Sequence, residues 1–188
     1  PLLINDLKIL INAIHQSNEK DKRKIRDKAL VLIGFSGGFR RSELVDIEYE
    51  DLEFVSEGVK ICVKRSKTDQ SGEGMTKAIP YFDNEKFCPV IALKNWIEIF
   101  DLKKSRIFDI SDKSVALIIK KYAKYAGLDS HRYAGHSLRS GFATSTAESG
   151  AEERNIMAMT GHKSREMVRR YIKEANLFKN NALSKIKF

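Results

Sequence analysis

Apolar residues in the first third of the chain recur at the spacing of an amphipathic helix. One run predicts a helix with a single apolar face, made of Leu7, Leu10, Ile11 and Ile14, and Asn5 is a plausible N-terminal cap. Beyond a charged stretch at residues 19–24, a second run predicts another helix, whose apolar stripe consists of Ile25, Ala29, Leu32 and Ile33. The pair Gly37-Gly38 ends this helix, and a short helical turn is predicted over residues 40–44.

The pattern changes to a period of two in the middle of the chain. Residues 59–64 alternate between apolar and polar side chains, which predicts a half-buried strand. A turn at residues 71–74 and a returning strand at residues 76–80 complete a predicted hairpin, and a third short strand fits the pattern near residues 48–54. The sheet should therefore be small and antiparallel.

Helical spacing resumes after the hairpin and continues to the C-terminal part of the chain. Apolar faces predict one helix from Pro89, Val90, Leu93 and Ile97, and another, closed by Gly127, from Val115, Ile118, Ile119 and Tyr122. Three short helices are predicted at residues 136–148, 151–159 and 164–174, separated by Gly150 and Gly161. The predicted fold class is mainly α with a small antiparallel β-sheet (α+β), in one domain over residues 1–188.

The net charge of +9 narrows the classes of partner. It favours a polyanion, with nucleic acid ahead of an anionic membrane surface, although a lysine-rich surface that only aids solubility would give the same charge. The sequence has no apolar run of about 20 residues that could span a membrane and no signal peptide. Cys62 and Cys88 lack metal-ligand spacing, and we interpret both as buried thiols of a protein in a reducing cytoplasm.

Two arginine motifs have the chemistry that phosphodiester transfer needs. The transition state gathers negative charge on non-bridging oxygens, and a guanidinium binds two such oxygens without losing its proton. Arg40 follows a glycine pair at a predicted helix start, where anions bind well, and Glu43 lies one turn later, where it could orient the guanidinium. His136 and Arg139, three positions apart, share a helix face. Each motif alone would more often be an ordinary surface feature.

Two further residues supply an imidazole and a hydroxyl nucleophile. His162 follows Gly161 at a predicted helix boundary, and Tyr171 comes nine positions later. Taken singly, such a histidine is more often a capping residue, and such a tyrosine is more often a half-buried aromatic with its hydroxyl at the surface. Their occurrence together, in order behind two arginine motifs, favours a common site.

In this order and at these spacings, the motifs resemble the catalytic domain of the tyrosine recombinases, also called the phage-integrase family. The family's arginine motif is similar to residues 38–44, its H-x-x-R box to residues 136–139 and its Gly-His box to residues 161–162. Its nucleophile corresponds to Tyr171, and the resemblance runs over most of the chain, from the first predicted helix to just past this residue. It implies the recombinase catalytic-domain fold.

The resemblance also implies a role for each residue in cutting and rejoining DNA. Tyr171 would attack the scissile phosphate to form a 3′-phosphotyrosyl link, while Arg40 and Arg139 clamp the non-bridging oxygens. His136 would manage the tyrosine proton, and His162 would hydrogen-bond a phosphate oxygen. The covalent link conserves the bond energy, so the resemblance implies neither ATP nor a metal, and no cofactor is expected.

A catalytic lysine is expected on the hairpin, as the acid that protonates the leaving 5′-oxygen. Lys67, just before the predicted turn, is the best match to the family's lysine. Lys64, Arg65 and Lys77 are close by, and a shift in the register of the hairpin would make one of them the acid.

The resemblance implies double-stranded DNA as the partner, and a bacterial or phage-derived protein that lies in the cytoplasm and is associated with the nucleoid. Recombinases of this type usually carry a separate core-binding domain ahead of the catalytic one. We expect no such domain in this chain, as either a trimmed part of a larger protein or a truncated remnant. The apolar tail at residues 174–188 would pack on its own domain or dock on a neighbouring protomer. We expect a monomer without DNA and a tetramer on DNA. Two other possibilities are a DNA-binding remnant that no longer cuts and a type IB topoisomerase, although that family usually has lysine where His136 stands.

Overall fold

The computed structural model describes residues 1–64, 74–103, 105–162 and 164–175, with the side chains of residues 174 and 175 excepted. Within these residues the chain forms eight α-helices and a three-stranded sheet. The helices are α1 (Ile4–Gln16), α2 (Asp21–Ser36), α3 (Arg41–Val45), α4 (Pro89–Phe100), α5 (Asp112–Tyr125), α6 (Ser137–Glu148), α7 (Glu153–Thr160) and α8 (Arg165–Ala175). The strands are β1 (Leu52–Val55), β2 (Gly58–Val63) and β3 (Met75–Pro80). The predicted class, mainly α with a small antiparallel sheet, is confirmed.

Helix α2 forms the centre of the main core. Every side chain from residue 29 to residue 33 is fully buried, because α1, α4 and α6 pack around this helix. Burial therefore extends beyond the predicted apolar stripe to Leu30 and Val31, which the helical spacing did not include in it. The end of α2 leads directly into the segment that carries Arg40, so the buried C-terminal half of this helix fixes the start of the candidate site.

The sheet is an antiparallel meander in the order β1-β2-β3. Alternate residues of β2 point into the core, including Ile61 and Val63, while Lys60 and Cys62 face outward. The interpretation of both cysteines as buried thiols is therefore wrong for Cys62, which is exposed; only Cys88 is buried. Cys62 falls on the solvent side because side chains on a strand alternate strictly between its two faces.

The sequence predicted the N-terminal cap of α1 wrongly and the C-terminal end of α2 correctly, and each outcome has a physical cause. Helix α1 begins at Ile4, and the Asp6 carboxylate accepts a hydrogen bond from the Leu3 amide at 3.2 Å, so the predicted cap Asn5 is wrong by position. Helix α2 ends at the predicted glycines. Gly38 has φ +55°, where a Cβ would lie 2.9 Å from a Phe142 ring carbon and 3.1 Å from a Thr160 methyl. The turn therefore needs glycine both for its backbone conformation and for space.

Helices α6, α7 and α8 share a small second core. Its buried members are Ala143, Ala147, Ile156 and Val168, and Tyr171 packs against them from α8. Residues 176–188, most of the predicted tail, lie outside the described residues. No helix in the described part of the chain is long and apolar enough to cross a membrane.

Candidate active site

Arg40 is held at the start of α3 by Glu43. The Glu43 carboxylate accepts the Arg40 backbone N–H at 2.9 Å and its Nη1–H at 2.5 Å, which caps the helix and fixes the guanidinium with one side chain. The Glu43 side chain is almost completely buried, whereas that of Arg40 retains 20% exposure. Glu43 therefore makes the contact that its spacing predicted, and it is a buried ion-pair partner instead of a solvated helix carboxylate.

Arg139 lies on α6 with only 4% of its surface exposed. Its Nη1 donates to the Gly38 carbonyl at 3.0 Å, which ties α6 to the turn after α2. Its Nη2 is buried and makes no hydrogen bond within the described part of the chain. Burial, together with the nearby Arg40 charge, lowers the pKa of Arg139 to about 10, so the guanidinium stays charged at neutral pH. A buried guanidinium nitrogen without an acceptor is suited to an anionic ligand.

His162 follows the left-handed Gly161 that ends α7, and a hydrogen bond from its ring fixes its tautomer. The Thr160 hydroxyl lies 2.6 Å from the Ile156 carbonyl, which can only accept, so this hydroxyl donates there. The Thr160 oxygen therefore accepts from His162 Nδ1–H at 2.8 Å. Nε2 of the neutral ring is consequently left as an acceptor.

The charge state of His162 follows from its surroundings. Burial, then the charges of Arg139 and Arg40, lowers the pKa of His162 to about 4, so the ring is neutral at pH 7. A phosphate oxygen near Nε2 would favour the protonated ring, because an adjacent anion opposes this lowering of the pKa. The hydrogen bond to phosphate that the resemblance implies thus requires proton uptake by His162.

Tyr171 is half-buried on α8, and its ring centroid lies 6.1 Å from that of His162. A negative charge on its oxygen would favour the charged form of Arg139, which shows that the two side chains lie within electrostatic range. The structure thus brings Arg40, Arg139, His162 and Tyr171 into one region from α2–α3, α6, α7 and α8, although they span most of the chain.

His136 is placed differently from the other predicted site residues. It precedes the first residue of α6 and is exposed, one helical turn before the buried Arg139. Its ring makes no hydrogen bond or ion pair within the described residues, whereas its backbone carbonyl accepts from the Ser140 amide and hydroxyl. The sequence placed His136 and Arg139 on one helix face. Their exposures differ because only the Arg139 side chain extends to the turn after α2, where it donates to the Gly38 carbonyl.

The catalytic lysine predicted at Lys67 lies outside the described residues, as does Arg65, whereas the other two alternatives, Lys64 and Lys77, lie within them. Lys64 Nζ lies 2.7 Å from Glu48 and 2.9 Å from Asp51, and hydrogen bonds to these carboxylates raise its pKa. A lysine held in this way is a poor proton donor.

Lys77 has no exposed surface, and its Nζ donates to the carbonyls of Gly37 and Met159. Burial, opposed by Glu43 and reinforced by Arg139, lowers its pKa to about 7. The enclosed ammonium cannot reach a leaving oxygen without giving up both carbonyls.

Sequence reasoning missed Thr160 altogether, and it named Lys77 only as an alternative acid without predicting that this lysine is buried. Thr160 sets the tautomer of His162, and no local pattern indicates such a contact, because it depends on how α7 ends. Lys77 had a usable signal: in a strand of period two it shares a face with Ile79, which is buried, so an inward lysine could have been predicted.

The described part of the site presents positive charge to a ligand. Arg40 and Arg139 are charged, Glu43 offsets one of them, and the remaining excess favours an anion. No three His, Cys, Asp or Glu side chains among the described residues cluster closely enough to hold a metal ion. Paired guanidinium groups can bind a phosphodiester, and a tyrosine hydroxyl in the same site can attack its phosphorus.

Comparisons with known proteins show which proteins this chain is similar to. The chain is 46% identical to an integrase/recombinase XerD homologue of Selenomonas ruminantium, over 99% of this chain and 57% of that protein. The structure resembles XerH site-specific recombinase bound to difH substrate in a pre-cleavage complex, with a TM-score of 0.74 at 20% identity, covering 95% of this chain and 53% of that chain. It also resembles a λ integrase tetramer bound to a Holliday junction, with a TM-score of 0.63 at 20% identity, covering 99% of this chain and 50% of that chain.

These comparisons cover the chain almost completely but not its relatives. The chain spans little more than half the length of the curated relatives that it matches. The model of the phage integrase family matches residues 3–177, a range that includes every predicted site residue from Arg40 to Tyr171. With this match and the 46% identity to a known recombinase, the chain belongs to the phage integrase family.

Proposed function

We propose that this chain is the catalytic part of a site-specific DNA recombinase or integrase that cuts and rejoins DNA through a 3′-phosphotyrosyl link. The observation that carries this proposal is the buried Arg139 guanidinium, whose Nη2 makes no hydrogen bond within the described residues, in electrostatic range of Tyr171. A buried donor left without an acceptor is costly unless a ligand supplies one, and a phosphate oxygen would do so. The family membership of the chain supports phosphodiester as that ligand.

Each residue has a task in the proposed reaction. Tyr171 Oη attacks the scissile phosphorus, and the 5′-oxygen leaves as the 3′-phosphotyrosyl bond forms. Arg139 and Arg40 bind the non-bridging oxygens, and Glu43 keeps the Arg40 guanidinium in place. His162 takes up a proton as the phosphate approaches and then donates to an oxygen.

Two proton transfers complete the reaction. His136, exposed at the start of α6, is proposed to accept the tyrosine proton, and Lys67 to protonate the leaving 5′-oxygen. Rejoining reverses these steps, with a DNA 5′-hydroxyl attacking the phosphotyrosine. The energy of the phosphodiester is retained in the intermediate, so the cycle needs no added energy source.

We also propose that the partner is double-stranded DNA and that the protein works as a tetramer on it and is a monomer without it. The structural relatives include recombinases bound to DNA, one of them a tetramer on a Holliday junction. The net charge of +9 suits a polyanion, and it fits a protein that works on the nucleoid in the cytoplasm. The predicted tail, residues 174–188, is proposed to dock on the neighbouring subunit.

Trapping of a covalent adduct tests the proposal. The wild-type chain is incubated with a library of nicked duplexes whose centres are randomised, so that the cut strand diffuses away and the adduct accumulates. We expect wild-type protein to select a duplex, and we expect Tyr171→Phe to bind that duplex with similar affinity but form no adduct. Tyr125→Phe, which changes an exposed tyrosine on α5, is the control and should behave as wild type.

The alternatives predict other outcomes. Failure of the wild-type chain to form an adduct, despite duplex binding, would favour a remnant that no longer cuts. Relaxation of supercoiled plasmid without any selected sequence would favour a topoisomerase. An adduct that persists in Tyr171→Phe would show that another residue is the nucleophile.

A further inference from the structure

Lys77 occupies an unusual place for a lysine. It lies on β3 among the inward-facing residues and has 0% exposed surface. Its Nζ donates to the Gly37 carbonyl at 2.8 Å and to the Met159 carbonyl, and it lies 4.7 Å from the centre of the Phe39 ring. A buried lysine is expensive unless its donors are used, and here two carbonyls and an aromatic face surround it.

The two carbonyls belong to the C-terminal ends of two different helices. Gly37 is the C-terminal cap of α2, and Met159 is the last residue but one of α7. Carbonyls in the last turn of a helix lack intrahelical donors, and the helix dipole adds negative potential there. One side chain from a third element, β3, therefore caps both helices.

The residues that follow these two helix ends belong to the candidate site. Arg40 comes three residues after Gly37, and His162 comes three residues after Met159. The intervening Gly38 carbonyl accepts from Arg139, so neighbouring carbonyls of one turn hold Lys77 and Arg139. A change in the distance between the ends of α2 and α7 would therefore move Arg40 relative to His162.

We propose that Lys77 is a positioning residue for DNA cleavage, which caps α2 and α7 together and thereby fixes Arg40 and His162 relative to each other. The expected effect of Lys77 on cleavage rests on the proposed function, whereas its effect on the relative positions of Arg40 and His162 does not. It also separates Lys77 from the general acid, since a capping lysine acts through the carbonyls that it holds and never touches the leaving oxygen.

Cleavage kinetics test this role with two Lys77 variants and a matched control. Lys77→Met keeps the length of the side chain and removes its donors, Lys77→Arg keeps donors and charge, and Lys60→Met changes an exposed lysine on the adjacent strand β2. Adduct formation is followed under single-turnover conditions, well below the melting temperature of each variant. Each protein is tested on the selected duplex and on the same duplex with a bridging 5′-phosphorothiolate, whose thiolate leaves without an acid.

We expect Lys77→Met to bind the duplex nearly as well as wild type but to cleave it about 10²-fold more slowly, the loss typical of a misplacement near 1 Å. The phosphorothiolate should not restore the rate, and Lys77→Arg should recover most of it. Restoration of Lys77→Met by the phosphorothiolate would identify Lys77 as the acid and overturn the proposal, as would a wild-type rate on ordinary DNA. If Lys77→Met does not fold, Lys77→Arg decides: near-normal cleavage supports capping, and a folded, inactive variant overturns it.

Nuclear magnetic resonance tests the geometry without DNA, so its result is independent of the proposed function. Lys77→Met should shift the amide signals of both segments, residues 40–43 and residues 161–162, whereas Lys60→Met should shift neither. A shift confined to one segment would refute the shared cap, even if the chain cleaves DNA. A failure of wild-type protein to trap any duplex would instead refute the proposed function and leave this result standing.

Discussion

The buried lysine makes the stability of the fold depend on pH in a direction opposite to that of most lysines. The pKa of Lys77 is lowered to about 7 in the folded chain, chiefly by burial, against about 10.4 for an unfolded lysine. Between these two values the unfolded chain binds a proton that the folded chain does not. The free energy of unfolding therefore rises with pH through this window, and the stabilisation is lost as pH falls toward 7.

The magnitude follows from the two pKa values. One proton bound only in the unfolded state contributes about 1.4 kcal/mol for each pH unit. Between about pH 7.5 and about pH 9.5 the folded lysine is still partly protonated at the lower end and the unfolded lysine partly deprotonated at the upper end, so the gain in the free energy of unfolding is about 2–3 kcal/mol. Both carbonyl contacts persist throughout, because a neutral amine still carries two N–H groups for Gly37 and Met159.

Chemical denaturation at a series of pH values measures this effect. The free energy of unfolding of wild type, minus that of Lys77→Met, should increase by about 2–3 kcal/mol across that range. The subtraction cancels groups common to both proteins, including Lys28, whose pKa is also lowered by burial. Measurements stop below pH 10 because the unfolded lysine itself loses its proton at about pH 10.4, beyond which the difference no longer grows. Parallel curves for the two proteins would refute the reasoning.

Three further predictions concern His162 and Arg139. The pKa of His162, followed by the ring-proton signals, should be near 4 and should rise when inorganic phosphate is added; a value above 6 in the free protein would contradict the burial argument. Thr160→Val, but not Thr160→Ser, should release the Nδ1–H tautomer, which the ring nitrogen shifts report directly. Arg139→Ala should slow adduct formation by about 10²–10³-fold with a smaller loss of DNA affinity, and Arg139→Lys should recover only part of the rate. Equal rates in wild type and Arg139→Lys would show that two-oxygen binding is unimportant.

The sequence predicts this fold well wherever local periodicity and burial agree. The last three helices were predicted at residues 136–148, 151–159 and 164–174 and lie at Ser137–Glu148, Glu153–Thr160 and Arg165–Ala175. The end of α2 was predictable because only glycine tolerates φ +55° against Phe142. Cys62 was misplaced because a thiol has no strong preference that overrides strand alternation.

The candidate site was predictable in its residue types but not in its contacts. The order of Arg40, Arg139, His162 and Tyr171 marks the family, whereas the partners of these side chains lie far away in sequence. Arg139 binds the Gly38 carbonyl 101 positions away, and no pattern within one helix can indicate such a pairing. The role of Lys67 stays a prediction, since this residue lies outside the described part of the chain.

The nucleophile is carried by a helix that does not belong to the main core. Helix α8 is anchored through Val168 on the small cluster of α6 and α7, and Tyr171 is one turn further along. Among the described residues this helix has little apolar anchorage, so it should open at a lower free energy than the buried residues 29–36 of α2. The segment that bears Tyr171 can therefore loosen and re-dock while the arginines keep their places. Evolution can in turn alter the reach and timing of the attacking hydroxyl by changing a few side chains around Val168, without rebuilding the scaffold that binds the phosphate.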